Sequence, residues 1–270
     1  MRPGEVCVRR KKEKSPVYGK LFDLTGRVAL VTGAAGGLAG DTCLGLGQFG
    51  AKVALADIDA TGLMAVSERL REYGIDTWSG TVDVADPRSV STLIDDVCGR
   101  FGRLDVMINF AGVARSLPID KIDPAEFQRI IDINLRGSFL MAQQSVRVML
   151  PQGSGKVILV GSVSGQIGRP FSAHYSASKG GVHSMTRTMA VEVARRNIQV
   201  NAVAPVFTLS PMSVNTLSDP RRRKAILSTI PMGRFGLPSD LVGTMIFLSS
   251  HASDFITGQT ILVDGGCTIS

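Results

Sequence analysis

The 270-residue chain has few of the residues that build metal sites and disulfide frameworks. Its four cysteines, Cys7, Cys43, Cys98 and Cys267, are scattered without a Cys-x-x-Cys pair, and only three histidines accompany them. This spacing predicts no metal site and indicates four reduced thiols in a cytoplasmic protein.

Long hydrophobic runs are also absent. No apolar stretch reaches the roughly 18 residues expected of a membrane span. The N-terminus lacks the apolar segment of a secretory signal. The sequence therefore predicts no membrane partner. With 44% hydrophobic residues, the chain is nevertheless long enough to bury one large core.

Positive charge is concentrated at the N-terminus. Residues 1–20 contain seven Lys and Arg against two Glu, so they carry +5 of the net charge of +7. We interpret them as a basic, disordered tail before a single domain at 21–270. Such an arm can attract nucleic acid or anionic lipid, but the favoured interpretation is an inert leader, with nucleic acid an unlikely partner.

From residue 28 onward, short apolar runs alternate with longer helical patterns. Several of the runs are continuously apolar, as expected of strands covered by helices on both faces. Seven strands are predicted, at Val28–Thr32, Val53–Asp57, Thr77–Val82, Val106–Asn109, Val157–Gly161, Val200–Ala204 and Thr260–Val263. Helices are predicted near 38–48, 60–73, 86–101, 123–149, 173–196 and 238–249. The alternation predicts the α/β class: a single doubly wound Rossmann domain with a seven-stranded parallel sheet.

A glycine cluster lies where the first strand runs into the first helix, in the segment Thr32-Gly33-Ala34-Ala35-Gly36-Gly37-Leu38. Glycines there let the backbone approach a pyrophosphate, which the helix N-terminus attracts. Twenty residues beyond Gly37, Asp57 ends the second strand. Its carboxylate can accept both hydroxyls of an adenosine ribose and would repel a 2′-phosphate. Neither Gly36 nor Ile58 supplies a cation for that phosphate, so the sequence predicts NAD, with NADP less favoured.

Tyr175 and Lys179 form a second pair that carries chemistry. Four residues apart on a helix, they share one face about 5.4 Å apart. A phenol has a pKa of about 10, and a fixed ammonium stabilises the phenolate. We therefore expect Lys179 to lower the pKa of Tyr175. The pair also arises by chance in helices, so its weight depends on the motifs around it.

Taken together, the motifs resemble those of the short-chain dehydrogenase/reductase family over residues 22–270. They comprise the glycine motif, Asp83-Val84, Asn109-Phe110-Ala111-Gly112, Ile133-Asn134-Leu135, Gly161-Ser162-Val163-Ser164-Gly165, Tyr175 with Lys179, Asn201 to Pro205, and Val263-Asp264-Gly265-Gly266. The segments at 21–26, 196–201 and 233–241 are similar to those of gluconate 5-dehydrogenases and related deoxygluconate dehydrogenases.

The resemblance implies hydride transfer between a secondary alcohol and NAD. Tyr175 would be the acid/base, Ser162 would orient the substrate oxygen, and Lys179 would bind the nicotinamide ribose. Asn134 would position a relay water. The implied cofactor contacts are Gly33, Gly36, Gly37, Leu38, Asp57, Ile58, Asp83, Val84, Asn109, Ala111, Gly112, Tyr175, Lys179, Pro205, Val206 and Thr208. A homotetramer is implied too, with the helices at 123–149 and 173–196 pairing across subunits.

Three positions depart from the family pattern: Ala39 replaces a glycine, Phe110 an asparagine and Val206 another glycine. If position 206 needs a positive φ, a β-branched residue there is strained. These departures motivate one alternative, a non-catalytic NAD-binding scaffold. A 3-oxoacyl-carrier-protein reductase is the other alternative.

The predicted substrate is a sugar acid or polyol, selected by the segments 163–171 and 206–231. The second segment is also predicted to be the most mobile loop. Its apolar residues would form a wall, and Ser210, Ser213 and Asn215 would bind hydroxyls.

Overall fold

The computed structural model of the protein describes residues 18–211, 213 and 217–270. Most of the predicted basic tail, residues 1–17, lies outside this range. The last three tail residues, Tyr18–Lys20, form a 3₁₀ turn. Within the described residues, no helix is long and apolar enough to cross a membrane.

Seven parallel strands form one sheet in the order β3-β2-β1-β4-β5-β6-β7. Their bounds are Val28–Thr32 (β1), Lys52–Asp57 (β2), Thr77–Thr81 (β3), Val106–Asn109 (β4), Gly155–Val160 (β5), Ile198–Pro205 (β6) and Thr260–Val263 (β7). All seven predicted strands are present, and three have the predicted bounds. The sheet is wound outward in both directions from β1 and β4, which are not consecutive in the chain. Their carboxyl ends mark the switch point where such folds bind ligands.

Eight α-helices whose residues are all described flank the sheet. They are Ala39–Gln48 (α1), Ala60–Glu72 (α2), Pro87–Phe101 (α3), Pro124–Ile131 (α4), Gly137–Gln152 (α5), Ala173–Val193 (α6), Pro220–Leu227 (α7) and Ser239–Ser249 (α8). Asp residues cap several of them because a side-chain oxygen accepts free N–H groups of the first turn. Asp86, Asp123 and Asp219 do so immediately before a proline at the first helical position.

Two hydrophobic clusters hold the helices on the sheet. One contains side chains of α3, α5 and α6, such as Leu93, Met141 and Val182, and the other contains side chains of α1, α2 and α8, such as Leu46, Leu70 and Met245. All six are nearly inaccessible to solvent. This burial on both faces explains why the strand segments are continuously apolar.

Two predicted helices differ from the structure. The single helix predicted at 123–149 is α4 followed by a π-turn at Asp132–Arg136 and then α5. The helix predicted at 173–196 ends at Val193 and continues as a 3₁₀ turn over Ala194–Arg196. The predicted mobile loop contains α7, where the basic run Arg221–Lys224 stands on a helix without buried residues.

Candidate active site

The glycine segment after β1 is closely packed against the segment after β4. Gly33 has a φ of +66°, and a Cβ there would lie 2.6 Å from the backbone nitrogen of Ala111. The Thr32 hydroxyl donates to Oδ1 of Asn109, whose Nδ2 donates to Ser138 at 2.9 Å. These contacts fix the two strand ends that flank the switch point. Gly36 closes the turn with an N–H bond to the Gly33 carbonyl at 3.0 Å.

Gly37 and Leu38 stand at the start of α1, on the side facing the loop after β6. A Cβ on Gly37 would lie 2.3 Å from Cδ of Pro211. Leu38 is the N-cap residue of α1 and makes no side-chain cap bond. The N-terminal amides of α1 are therefore not taken by a capping side chain at that position, as an anion-binding helix end requires.

Asp57 lies at the end of β2 beneath the glycine segment. Its Oδ2 accepts from the Ala35 N–H at 3.0 Å, and its Oδ1 accepts from the Asp59 N–H at 3.1 Å. The two bonds orient the carboxylate at the edge of the sheet. The neighbouring Ile58 is 72% exposed, so it presents an apolar side chain to solvent there.

The remaining predicted cofactor residues line the same edge. Asp83 accepts the Ala85 N–H at 2.9 Å, and Val84 is buried against Gly137. Gly112, Pro205, Val206 and Thr208 line the cavity described below. Thr208 donates its hydroxyl to the Val206 carbonyl at 3.0 Å.

The departures from the family pattern cause less strain than the sequence suggested. Among the described non-glycine residues, only Phe171 and Asn197 have positive φ, so the expected strain at Val206 is absent. Ala39 is buried at the start of α1. Phe110 lines the cavity. Asp41, in the first turn of α1, is paired with Arg69 at 2.8 Å, which balances its charge.

Asn134 lies within the π-turn and is fully buried. Its Oδ1 accepts the Val113 N–H at 2.8 Å, and its Nδ2 donates to the Val113 carbonyl at 2.9 Å and to Ser178 at 3.1 Å. Gly112 lies beside it, since a Cβ there would be 3.2 Å from Oδ1 of Asn134 and 3.5 Å from Nζ of Lys179. The π-turn thus brings Asn134 beside the ammonium.

Lys179 is buried on α6, and its Nζ donates to the Val160 carbonyl at 2.7 Å. Burial lowers the pKa of Lys179 to about 8, because the charged form loses its water. One of its three donors is taken by Val160. A ribose hydroxyl can accept a hydrogen bond from one of the other two N–H groups of the ammonium.

Tyr175 lies on the same face of α6, with its ring centroid 5.9 Å from Nζ of Lys179. Burial raises the pKa of the Tyr175 phenol, and a hydrogen bond with Ser162 opposes that rise. The expectation that Lys179 would lower the pKa is therefore wrong for this structure. The hydroxyl is desolvated, and the ammonium lies over the ring. Ser162 is buried at the end of β5, where its Oγ also accepts the Ser164 N–H at 3.1 Å.

These side chains open into a cavity of about 440 Å³. Leu38, Phe110, Gly112, Ser162, Tyr175 and Lys179 are among its lining residues, as are Ser210 and Ser213 from the loop after β6. Asn215, also predicted to bind hydroxyls, lies outside the described residues. The cavity thus brings together residues from five separate segments of the chain.

Sequence reasoning missed the charge of this cavity. Arg115, Arg169, Arg222 and Lys179 line it, and no Asp or Glu is among the described lining residues. Arg169 donates to Thr229 at 3.3 Å and to the Cys267 thiol at 2.7 Å. Arg222 lies over the ring of Phe171 at 5.7 Å. The arginines come from three distant segments, so only the basic run at Arg221–Lys224 gave any signal in the sequence.

Comparisons with known proteins agree with this geometry. A family model described as enoyl-(acyl carrier protein) reductase matches residues 33–268. The chain belongs to the short-chain dehydrogenase/reductase family. It is therefore an oxidoreductase acting on CH–OH groups with a nicotinamide nucleotide as cofactor.

Individual members of the short-chain dehydrogenase/reductase family match almost the whole chain. A 3-oxoacyl-acyl-carrier-protein reductase of Thermotoga maritima is 37% identical over 246 residues, covering 91% of this chain and 99% of that protein. A 5-keto-D-gluconate 5-reductase of Escherichia coli K12 is 34% identical over 250 residues, covering 93% and 98%.

A solved structure is also similar to this chain over almost its whole length. The gluconate 5-dehydrogenase from Burkholderia cenocepacia J2315, in complex with NADP and tartrate, has a TM-score of 0.89 and 35% identity, covering 93% of this chain and 98% of that one. The predicted resemblance to gluconate 5-dehydrogenases and the predicted fold are thus confirmed.

The residues present fit a nicotinamide nucleotide. Gly33, with its φ of +66°, lets the glycine segment pack on the backbone of Ala111, and the first amides of α1 are not capped by the Leu38 side chain, which suits a pyrophosphate. Asp57 supplies an oriented acceptor at the edge of the sheet where an adenosine ribose is bound in such folds. By contrast, no group of three or more His, Cys, Asp or Glu in the described part of the chain is arranged to hold a metal ion.

Proposed function

We propose that the protein is an NAD(H)-dependent enzyme that interconverts a secondary alcohol and a ketone on a sugar acid or polyol. The observation that carries this proposal is the cavity, where Ser162 and Tyr175 adjoin four cationic side chains and no described acid. Such a site attracts an anionic substrate and holds its reacting oxygen beside a phenol.

The choice of NAD rests on Asp57. Its carboxylate is held in place by two backbone N–H groups and suits ribose hydroxyls, while it would repel a 2′-phosphate. The Burkholderia gluconate 5-dehydrogenase was solved in complex with NADP, so one relative of this chain binds the phosphorylated cofactor. Cofactor choice is for that reason the first property to measure.

The bound nicotinamide would accept or donate the hydride. In oxidation, Tyr175 would take the proton from the substrate hydroxyl, and in reduction it would return a proton to the forming alkoxide. Ser162 would hydrogen-bond the substrate oxygen and the phenol, which favours the charged form that develops during the reaction. Lys179 would bind the nicotinamide ribose, and Asn134 would position a water that passes protons to solvent.

The cationic side chains favour an acid over a neutral polyol. Arg169 is held by Thr229 and Cys267 in the cavity wall, and Arg222 stands on the exposed helix α7. A planar guanidinium matches a carboxylate in two parallel hydrogen bonds. We therefore place the substrate carboxylate toward Arg169 and Arg222 and the reacting carbon toward Tyr175.

A 3-oxoacyl-carrier-protein reductase is the second candidate. Four consecutive basic residues on α7, Arg221–Lys224, stand near the cavity and would suit an acidic carrier. The Thermotoga reductase supports this reading. Reduction of an acyl thioester model such as acetoacetyl-CoA, without turnover of any sugar acid, would select it.

We further propose a cytoplasmic homotetramer in which the faces containing α4, α5 and α6 pair between subunits. Residues 21–270 would form the catalytic domain, and the basic tail would not be required for activity. Light scattering on the full chain tests the assembly, and an activity assay on a chain lacking residues 1–20 tests the role of the tail. A monomer would reject the assembly.

The decisive experiment is a titration of the protein with NADH and, in parallel, with NADPH, followed by a screen of sugar acids and polyols. Micromolar NADH binding, much weaker NADPH binding and turnover of an acid such as gluconate would support the proposal. Tighter binding of NADPH would reject the assignment of NAD. Failure of a folded protein to bind either would favour the scaffold alternative.

A further inference from the structure

His183 is a buried residue that the reaction described above does not use. It lies one helical turn beyond Lys179 on α6, so Tyr175, Lys179 and His183 follow one another along the same face of the helix. Only 4% of its surface is exposed. Its Nε2 accepts the backbone N–H of Ser162 at 3.4 Å, and its Nδ1 has no hydrogen-bond partner among the described residues.

The surroundings of His183 are shaped to admit an imidazole. A Cβ on Gly161 would lie 2.1 Å from Nε2, and one on Gly165 would lie 2.8 Å from Cε1. Both glycines flank Ser162 in the segment that follows β5. Since real Cβ atoms do not approach a ring so closely, the two glycines provide the space that the imidazole fills.

Lys179 and His183 together hold the end of β5 from the same helix. Lys179 donates to the Val160 carbonyl at 2.7 Å, and His183 accepts from the Ser162 N–H, so the two contacts flank Gly161. Acceptance at Nε2 requires the neutral tautomer that carries its hydrogen on Nδ1. Burial and the nearby charges of Lys179 and Arg187 lower the pKa of His183 to about 4, which keeps the ring neutral at physiological pH.

We infer that His183 is a positioning residue for Ser162. Its imidazole fixes the Ser162 backbone, so that the Ser162 hydroxyl faces Tyr175 and the substrate oxygen. Without the acceptor, the buried N–H of Ser162 would lack a partner and the segment would shift to find one. A displacement of about 1 Å at such a group can cost about 100-fold in rate.

A matched pair of variants tests the acceptor itself. In His183→Gln the amide reaches as far as Nε2, whereas in His183→Asn it reaches only as far as Nδ1. We expect His183→Asn to lower kcat about 10- to 100-fold relative to His183→Gln, with the dissociation constant of NADH unchanged in both. The alkaline limb of the kcat–pH profile should also move upward in His183→Asn, because a weaker Ser162 bond raises the pKa of Tyr175.

His174→Leu is the control, because His174 is a fully buried histidine at the start of the same helix, and neither of its nitrogens has a hydrogen-bond partner within the described part of the chain. It should leave both kcat and the pH profile near those of the natural protein. The assay uses any ketone that the natural protein reduces, beginning with 5-keto-D-gluconate. Equal kcat values and pH profiles for the Asn and Gln variants would overturn the inference.

A measurement without substrate separates this inference from the proposed function and does not depend on the folding of a variant. The chain has only three histidines, so ¹⁵N spectra of the natural protein resolve their tautomers. The inference requires His183 to be neutral with its hydrogen on Nδ1. A hydrogen on Nε2 would leave no lone pair for the Ser162 N–H and would overturn it, whatever the enzyme's substrate.

Discussion

The two sides of the cavity are built differently. The side we call the site floor, formed by Asn134, Ser162, Tyr175 and Lys179, rests on a buried sheet and is tied by side-chain hydrogen bonds. The opposite side, which we call the site lid, consists of Val206–Thr208 and α7, and α7 buries no residue. The groups proposed to align with reacting atoms thus stand on buried elements, while the cations proposed to select a substrate include Arg222 on a helix that buries no residue.

The largest expected effect is at the floor. Tyr175→Phe removes the proton donor and acceptor while leaving the ring in place, so kcat should fall about 10²- to 10⁴-fold with NADH affinity unchanged. Steady-state kinetics and an NADH titration measure the two quantities. Tyr73→Phe, at a 58% exposed tyrosine on the surface, is the control. If kcat in Tyr175→Phe stays near the natural value, the mechanism is wrong.

His183, which accepts the Ser162 N–H behind the floor, should contribute to the acid stability of the fold. The pKa of His183 falls from 6.5 to about 4 on folding, so the unfolded chain binds more protons between these values. Stability is therefore fully present above pH 6.5 and lost as the pH falls toward 4, by roughly 3 kcal/mol. Urea unfolding at several pH values measures this loss. In His183→Gln the free energy of unfolding should depend less on pH in this range. An equally steep dependence would mean that groups other than His183 cause the loss of stability.

The edge of the sheet that we propose to bind the cofactor should show an effect of similar kind. Asp57→Ala removes hydrogen bonds between a charged group and the ribose, so NADH affinity should fall about 10- to 100-fold while NADPH affinity rises or stays constant. Asp59→Ala is a matched control, since Asp59 caps α2 and should change stability by about 1 kcal/mol without changing cofactor preference. An unchanged preference in Asp57→Ala would contradict the assignment of NAD.

The smallest effect is expected at the lid. Arg222→Ala removes an exposed cation of the cavity, so the KM for an acidic substrate should rise up to about fivefold with kcat unchanged. Arg223→Ala is its control, because the neighbouring Arg223 lies over Phe235 rather than lining the cavity. A fall in kcat as large as that of Tyr175→Phe would abolish the distinction between floor and lid.

Local patterns predicted the elements and the catalytic pair. The alternation of short, mostly apolar runs with longer helical patterns predicted all seven strands, several of them continuously apolar. The contacts that sequence reasoning missed join distant residues. The bond between His183 and Ser162 spans 21 positions, and so does the bond between Asn134 and Val113. The predicted direction of the Tyr175 pKa shift was wrong. The shift depends mainly on burial, and the spacing of two residues on a helix does not reveal how deeply they are buried.

The π-turn at Asp132–Arg136 has a consequence for how this chain can change length. A π-turn holds one residue more than the α-helical turn it replaces. Deleting one residue there would let the segment close into a regular α-helical turn and would remove Asn134 from Val113. Length variation among proteins of this shape should therefore be rare between α4 and α5 and frequent between β6 and α7. Libraries that insert or delete residues to reach new substrates should begin at the latter segment.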